Sequence, residues 1–261
     1  MALVAAHAKS GNDYHVDLET APHDIVPGHP FRLQLTVRDP RTKSVVGDFA
    51  VVHEKRFHLF VVSRDLEHYD HVHPEQEEDG SWAIDLILPR AGSYKIFADF
   101  LPTGGTPQVI ARPIVTTGFQ TDPTSAVASL SPDPSLCDTV AGMSVALELP
   151  PRGLVAGRDE TLVYHVTDAR TDAPVADIEP YLGAWGHSLI VSEDMRHVAH
   201  AHPIELVREG DPAAAGGPTL TFKALLPEPG NYRIWTQIKR GGVVATAVFT
   251  VGVASAPSNG Q

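Results

Sequence analysis

Apolar and polar positions alternate along most of this chain with a period of two. Phe31, Leu33, Leu35 and Val37 are separated by Arg32, Gln34 and Thr36, the pattern of a strand with one buried face. Trp82, Ile84, Leu86 and Leu88 form a second such run, and Tyr94, Ile96, Ala98 and Phe100 a third. Further on, Leu220, Phe222, Ala224 and Leu226, and then Tyr232, Ile234, Thr236 and Ile238, repeat the last two. No long stretch has the 3.6 period of a helix. The 22 prolines and 21 glycines fall between the runs, where they predict turns.

The runs belong to an internal repeat. An offset of 129 carries His58 onto His187, Leu33 onto Leu162, and Asp39 onto Asp168; after an insertion near "REGDPAAAGG" the offset becomes 138. A repeat of this length is two copies of a domain, too long for a solenoid unit. Short alternating strands in copies of about 100 residues predict a β-sandwich. "LPRAGSY" from Leu88 and "LPEPGNY" from Leu226 match a tyrosine corner, a Pro/Gly turn before a tyrosine at a strand start. The predicted fold is therefore all-β, with two tandem immunoglobulin-like β-sandwiches of about seven strands each. The first domain is assigned to residues 13–118, a Pro/Ser/Asp/Ala-rich linker to 119–139, and the second domain to 140–253.

The polar residues of the repeat point to chemistry. "HLFVVSRDLEHYDHVHP" (58–74) and "HSLIVSEDMRHVAHAHP" (187–203) agree at eight of seventeen positions, including every shared histidine, the aspartate and the final proline. Each reads as a hairpin with a loop at "RDLEH" or "EDMRH". His71 and His73 lie on one face of their strand. If opposed residues have numbers with an odd sum, as in 58 with 73, His58 joins them; if the sum is even, it points away. Sequence does not fix this register. Because Phe60 and Val62 are apolar, while Leu59 is exchanged for Ser188, the face carrying His58 is expected to be the core face.

Three imidazoles suit Cu(II), Zn(II) or Ni(II). The predicted ligands are His58, His71 and His73 in the first copy and His187, His200 and His202 in the second. His68 and Asp65, with His197 and Asp194, are secondary candidates for a fourth ligand or an orienting carboxylate. The competing structural reading has Asp65 capping the loop and the histidines serving only as hydrogen-bonding groups. Metal binding is expected to weaken steeply from pH 7 to 5, because imidazole coordinates only when neutral. Cys137 is a lone cysteine with no assigned role and no disulfide partner.

The pattern H-L-x-V-V-S-x-D-L, a short gap, then H-x-H-P resembles a motif of bacterial exported proteins. These are grouped with YtkA-like and CopC-like immunoglobulin-type domains and occur alongside copper and heavy-metal handling systems. The motif falls on His58, Asp65, His71, His73 and Pro74, and on His187, Asp194, His200, His202 and Pro203; Met195 stands in place of its leucine. His68 and His197 lie outside it. The resemblance implies copper, an extracytoplasmic location (periplasmic or extracellular) and a protein partner in metal handling. Ala6-His7-Ala8 fits an A-x-A cleavage pattern, but the apolar run before it is short for a signal peptide.

A formal charge of −12 argues against nucleic acid as a partner. No apolar run approaches the ~20 residues of a spanning helix, so membrane insertion is not expected. The expected function is non-catalytic metal binding, as carrier, buffer or sensor, with copper as the metal and zinc the alternative. Two other classes stay open: a metal-dependent enzyme, and a structural or adhesion module without metal. Neither copy shows a nucleophile motif, a phosphate loop or a recurring general base.

Overall fold

The computed structural model describes residues 14–119, 128–207 and 214–257, and every regular element among them is a β-strand. The chain divides between Ala128 and Ser129 into two units. The A-x-A segment and much of the predicted linker lie outside the described residues.

The first domain contains β1 (His15–Ala21), β2 (Pro30–Arg38), β3 (Phe57–Ser63), β4 (Tyr69–Val72), β5 (Glu75–Gln76), β6 (Trp82–Ile87), β7 (Ser93–Phe100) and β8 (Gln108–Val115). They form two antiparallel sheets, β1-β2-β6-β5 and β4-β3-β7-β8. Between the sheets lie the alternating residues read from the sequence. Phe31, Leu33, Leu35, Val37 and Trp82 come from one sheet, and Phe57, Leu59, Val61, Tyr94, Ile96, Ala98 and Phe100 from the other. This is an immunoglobulin-like sandwich, with a fourth strand beside the usual three in the second sheet.

The second domain repeats the plan with β9 (Cys137–Val140), β10 (Met143–Glu148), β11 (Leu154–Val155), β12 (Asp159–Asp168), β13 (His187–Ser192), β14 (Val198–Ala201), β15 (Thr219–Leu225), β16 (Gly230–Arg240) and β17 (Val243–Ala254). Its sheets are β15-β12-β10-β9 and β11-β17-β16-β13-β14. Its core replaces one apolar group by a polar chain. Ser188, Thr236 and Tyr164 stand where the first domain has Leu59, Ala98 and Leu35. Ser188 Oγ lies 2.8 Å from Thr236 Oγ1, which donates to the Tyr164 hydroxyl at 2.9 Å. The three buried hydroxyls satisfy one another, so none carries the penalty of an unpaired polar group.

The linker boundary requires correction. Within the predicted 119–139 segment, residues 128–136 lack regular structure, but Cys137–Val140 is a strand paired with β10. The residues before it are also fastened to the second domain. Leu130 N–H donates to Glu193 at 2.7 Å, Asn231 donates to the Leu130 carbonyl at 2.8 Å, and Thr250 N–H donates to Asp133 at 2.7 Å. The Pro/Ser-rich composition that reads as a linker here describes an extended segment tied down by backbone hydrogen bonds. Cys137 is exposed on this edge strand, its Sγ 3.3 Å from Ser144 Oγ.

The tyrosine corners form in both domains. The Tyr94 hydroxyl donates to the Arg90 carbonyl at 2.9 Å, and Tyr232 to the Glu228 carbonyl at 2.8 Å. Each ties a strand start to the turn four residues upstream. Replacing Tyr232 by Phe removes that bond and nothing else of the ring. We expect Tyr232→Phe to lower stability by about 1 kcal/mol in urea unfolding, with Tyr94→Phe similar; no change at either would mean that the corners add nothing to stability.

Candidate metal centres

The β3–β4 pairing sets Leu59 opposite Val72 and Phe60 opposite His71. Continued outward, the same register sets His58 opposite His73. In the second domain Ser188 is opposite Ala201 and Leu189 opposite His200, which brings His187 to His202. Both hairpins thus take the odd-sum register, and in each domain the three predicted histidines share one face.

That face is not the core face, contrary to the sequence expectation. Phe57, Leu59 and Val61 point between the sheets, so His58, Phe60 and Val62 occupy the opposite face of the sheet. In the second domain Ile190, Ala199 and Ala201 are core, which puts His187, Leu189, His200 and His202 opposite. Every residue of β3 is buried, so alternation could not distinguish the two faces. Ser188 misled for a separate reason, as it is a core serine satisfied by Thr236.

The three rings of each domain converge. His58 Nδ1 lies 3.1 Å from His71 Nε2 and 3.2 Å from His73 Nε2. His187 Nδ1 lies 3.3 Å from His200 Nε2, and His187, His200 and His202 each offer a nitrogen within 4.8 Å of the others. Nitrogens bound at ~2.0–2.1 Å to one metal ion sit about 3.3 Å apart in a tetrahedron and about 2.9 Å apart at a right angle. The donor spacing therefore fits a single transition-metal ion. His71 also stacks on Phe60, with centroids 4.4 Å apart, which restricts the ring.

A backbone carbonyl fixes the first histidine of each triad. His58 Nε2–H donates to the Val52 carbonyl at 3.0 Å, and His187 Nε2–H to the Tyr181 carbonyl at 2.8 Å. The bond places the proton on Nε2 and leaves the Nδ1 lone pair facing the other two rings, as a metal-ligating imidazole requires. Each carbonyl opens a two-residue turn, Val52–Lys55 and Tyr181–Ala184, closed by backbone bonds in both directions. The central residues have positive φ: 48° at His53 and 64° at Glu54, 49° at Leu182 and 70° at Gly183. This is the type I′ geometry of tight hairpins. For His53, Glu54 and Leu182 the left-handed conformation costs about 1 kcal/mol each. Strained turns recur at the same place in both copies, and each presents the carbonyl that orients a triad. Sequence reading missed these carbonyls because Val52 and Tyr181 share no side-chain chemistry.

Burial favours the neutral form of two rings of the first triad. Desolvation pushes His58 down to about 4, against a smaller opposing effect of the Val52 hydrogen bond. Desolvation and then repulsion from His58 push His73 down to about 3. The expected steep loss of metal between pH 7 and 5 is revised accordingly, since two of the three first-domain ligands carry no proton to displace in that range.

The secondary candidates do not reach the triads. Asp65 and Asp194 sit in the hairpin loops at the far end of β3 and β13, roughly 16 Å along the strand from His58 and His187. Asp65 accepts from Ser63 Oγ and from Glu67 N–H, and pairs with Arg90 at 3.3 Å. Asp194 accepts from Ser192 Oγ at 2.6 Å and Arg196 N–H at 3.0 Å. Ser63 and Ser192 in turn accept from the His68 and His197 amides at 2.8 and 2.9 Å. The recurring Ser-x-Asp is a loop cap. His68 packs edge-on against Tyr94 and contacts Asp70 at 2.8 Å. Asp99 was not singled out in the sequence, yet it lies directly opposite His58 on β7, on the same face. Desolvation pushes its carboxyl up to about 7.

Fold and repeat define a tandem immunoglobulin-like β-sandwich protein. The chain belongs to the family described as "Domain of unknown function (DUF8832)", which matches residues 8–117 and 138–255, one segment in each domain. No curated protein matches it. Among solved structures it is similar to the adhesin FdeC of Escherichia coli, at 11% identity and a TM-score of 0.29, over 93% of this chain and 66% of that one. It is also similar to the fibronectin(III)-like modules of Clostridium thermocellum CbhA, at 13% and 0.25, over 95% and 98% of the two chains. A third is the Yersinia pseudotuberculosis adhesin InvE, at 13% and 0.26, over 94% and 61%. Among the described residues no helix is long and apolar enough to cross a membrane.

The lowered histidine pKa values make the metal-free fold acid-sensitive. Between about pH 6.5 and 4 the folded state holds His58 neutral while the unfolded chain protonates it, so stability is full above this window and falls on acidification through it. For His58 the depression is worth on the order of 3 kcal/mol. Asp99 acts in the opposite sense over the same range, so the histidine contribution is read as a difference. Urea midpoints of metal-free wild type and His58→Gln, measured from pH 7 to 4, should converge as pH falls; parallel profiles would show that His58 titrates normally.

Proposed function

We propose that this protein binds divalent transition-metal ions without catalysis, through one three-histidine centre in each domain. The observation that carries the reading is the convergence of three imidazole nitrogens in each copy, with the first ring held in the metal-binding tautomer by a backbone carbonyl. His58 through Nδ1 and His71 and His73 through Nε2 would hold the ion in the first domain. His187, His200 and His202 would do so in the second. His58 and His73 bind without first losing protons, and three imidazole donors tolerate either Cu(II) or Zn(II). The motif's resemblance to YtkA-like and CopC-like domains favours copper, an extracytoplasmic setting and a role as carrier, buffer or sensor that passes metal to a protein partner.

One observation favours a second reading, a tandem structural or adhesion module. Ring nitrogens 3.1–3.3 Å apart are also within hydrogen-bond range, so each triad could serve as a polar knot. The two readings differ in what the rings hold, a metal ion or only one another. Neither site has a recurring general base beside it, which is why an enzyme is the weaker proposal.

Native mass spectrometry of the full chain with Cu(II) and Zn(II) separates them. Wild type should take up two ions. His71→Ala/His73→Ala and His200→Ala/His202→Ala should each lose one, and His68→Ala should lose none. A wild type that stays metal-free at micromolar Cu(II) and Zn(II) would leave the structural reading standing.

A further inference from the structure

The two centres differ in their charged neighbours. The turn beside the first carries His53, Glu54 and Lys55 where the second has Leu182, Gly183 and Ala184. Lys55 acts on His58 and His73 as a like charge, and the sheet supplies one further difference of the opposite sign. On β7 the residue opposite His58 is Asp99; on β16 the residue opposite His187 is Gln237. Directly opposed residues of an antiparallel pair share a face, with Cβ atoms about 5 Å apart. A carboxylate thus stands beside the first triad where the second has a neutral amide on a side chain one methylene longer. On its other side Asp99 is opposite Val109, as Gln237 is opposite Thr246.

We infer that Asp99 makes the first centre the tighter of the two for divalent cations, so that the protein carries one high-affinity and one low-affinity site. This rests on the three-histidine reading and adds to it a division of labour between the copies. Three imidazoles leave the full double charge of the ion uncompensated. A half-buried carboxylate on the residue facing His58, beside imidazoles that are themselves buried, offsets part of it, because Coulomb attraction grows as the effective dielectric falls. Gln237 supplies only a dipole. The order of filling follows: the first domain loads at low metal concentration and the second as supply rises, which suits a buffer with two working ranges.

The test uses the full chain with one triad disabled at a time and Cu(II) as the probe, in competition with a chelator of known affinity. His200→Ala/His202→Ala reports the first centre alone, and His71→Ala/His73→Ala the second. The first should bind about tenfold more tightly, an effect of the size expected for one nearby charge. Asp99→Asn in the first background should remove that advantage, and Asp99→Glu should keep most of it. A purely structural role for Asp99 would not distinguish the two that way. Gln237→Glu in the second background should tighten binding, and it tests the inference even if Asp99→Asn fails to fold. Equal affinities of the two centres, or an Asp99→Asn variant that binds as tightly as its parent, would overturn the inference while leaving the metal reading intact. If neither triad takes up Cu(II), the metal reading fails and the inference falls with it.

Discussion

A slip of one residue in the β3–β4 pairing would undo the first site. Side chains alternate faces, so the slip sends His58 to the face opposite His71 and His73. The register that prevents it is held by packing on the opposite face of the sheet from the histidines, and by the loop at the hairpin tip. Leu59 and Val61 are anchored in the core, and Leu59 is opposed by Val72 and Ala98. At the hairpin tip, Ser63 and Asp65 close the loop, and Leu66 adopts φ 59° with its side chain buried. The second domain uses the same device, with Ser192, Asp194 and Met195 at φ 56°. The residues taken from sequence as auxiliary ligands therefore serve the site from a distance, by fixing which residues oppose which.

The second requirement is the tautomer of the first histidine. A ring between two others can rotate or exchange its proton unless something outside the triad decides. The Val52 and Tyr181 carbonyls decide it, and each is delivered by a turn whose central residues sit at positive φ. A strained turn is retained only where the surrounding structure over-determines it. Here it lies just before a strand anchored in the core, β3 or β13, and presents one carbonyl to one imidazole.

The sequence was informative where one face of a strand was apolar and the other polar, as in β2. There Phe31, Leu33, Leu35 and Val37 read directly as core. It was also informative where side-chain identity recurred, which singled out all six triad histidines and both corner tyrosines. It was uninformative in β3 and β13, where both faces are buried and no alternation remains to choose between them. It left Asp65 and His68 between two readings, because a loop cap and a metal ligand call on the same residue types. The orienting carbonyls left no trace, since backbone atoms have no identity to repeat, and Asp99 left none because its counterpart is Gln237. The linker was misplaced for a related reason: Leu130 and Asp133 are held mostly through backbone groups, which composition does not report.

The duplication gives this family member two copies of one cluster of three imidazoles on an immunoglobulin-like scaffold, with different charges beside them. The account's central claim is that three imidazoles of one hairpin bind one ion. X-ray absorption spectroscopy of the Cu(II)- or Zn(II)-loaded protein tests it most directly. The account predicts a first shell containing three imidazoles per ion, with nitrogens at about 2.0 Å and the multiple-scattering pattern of histidine rings. A shell dominated by carboxylate and water oxygens, with one imidazole or none, would contradict it.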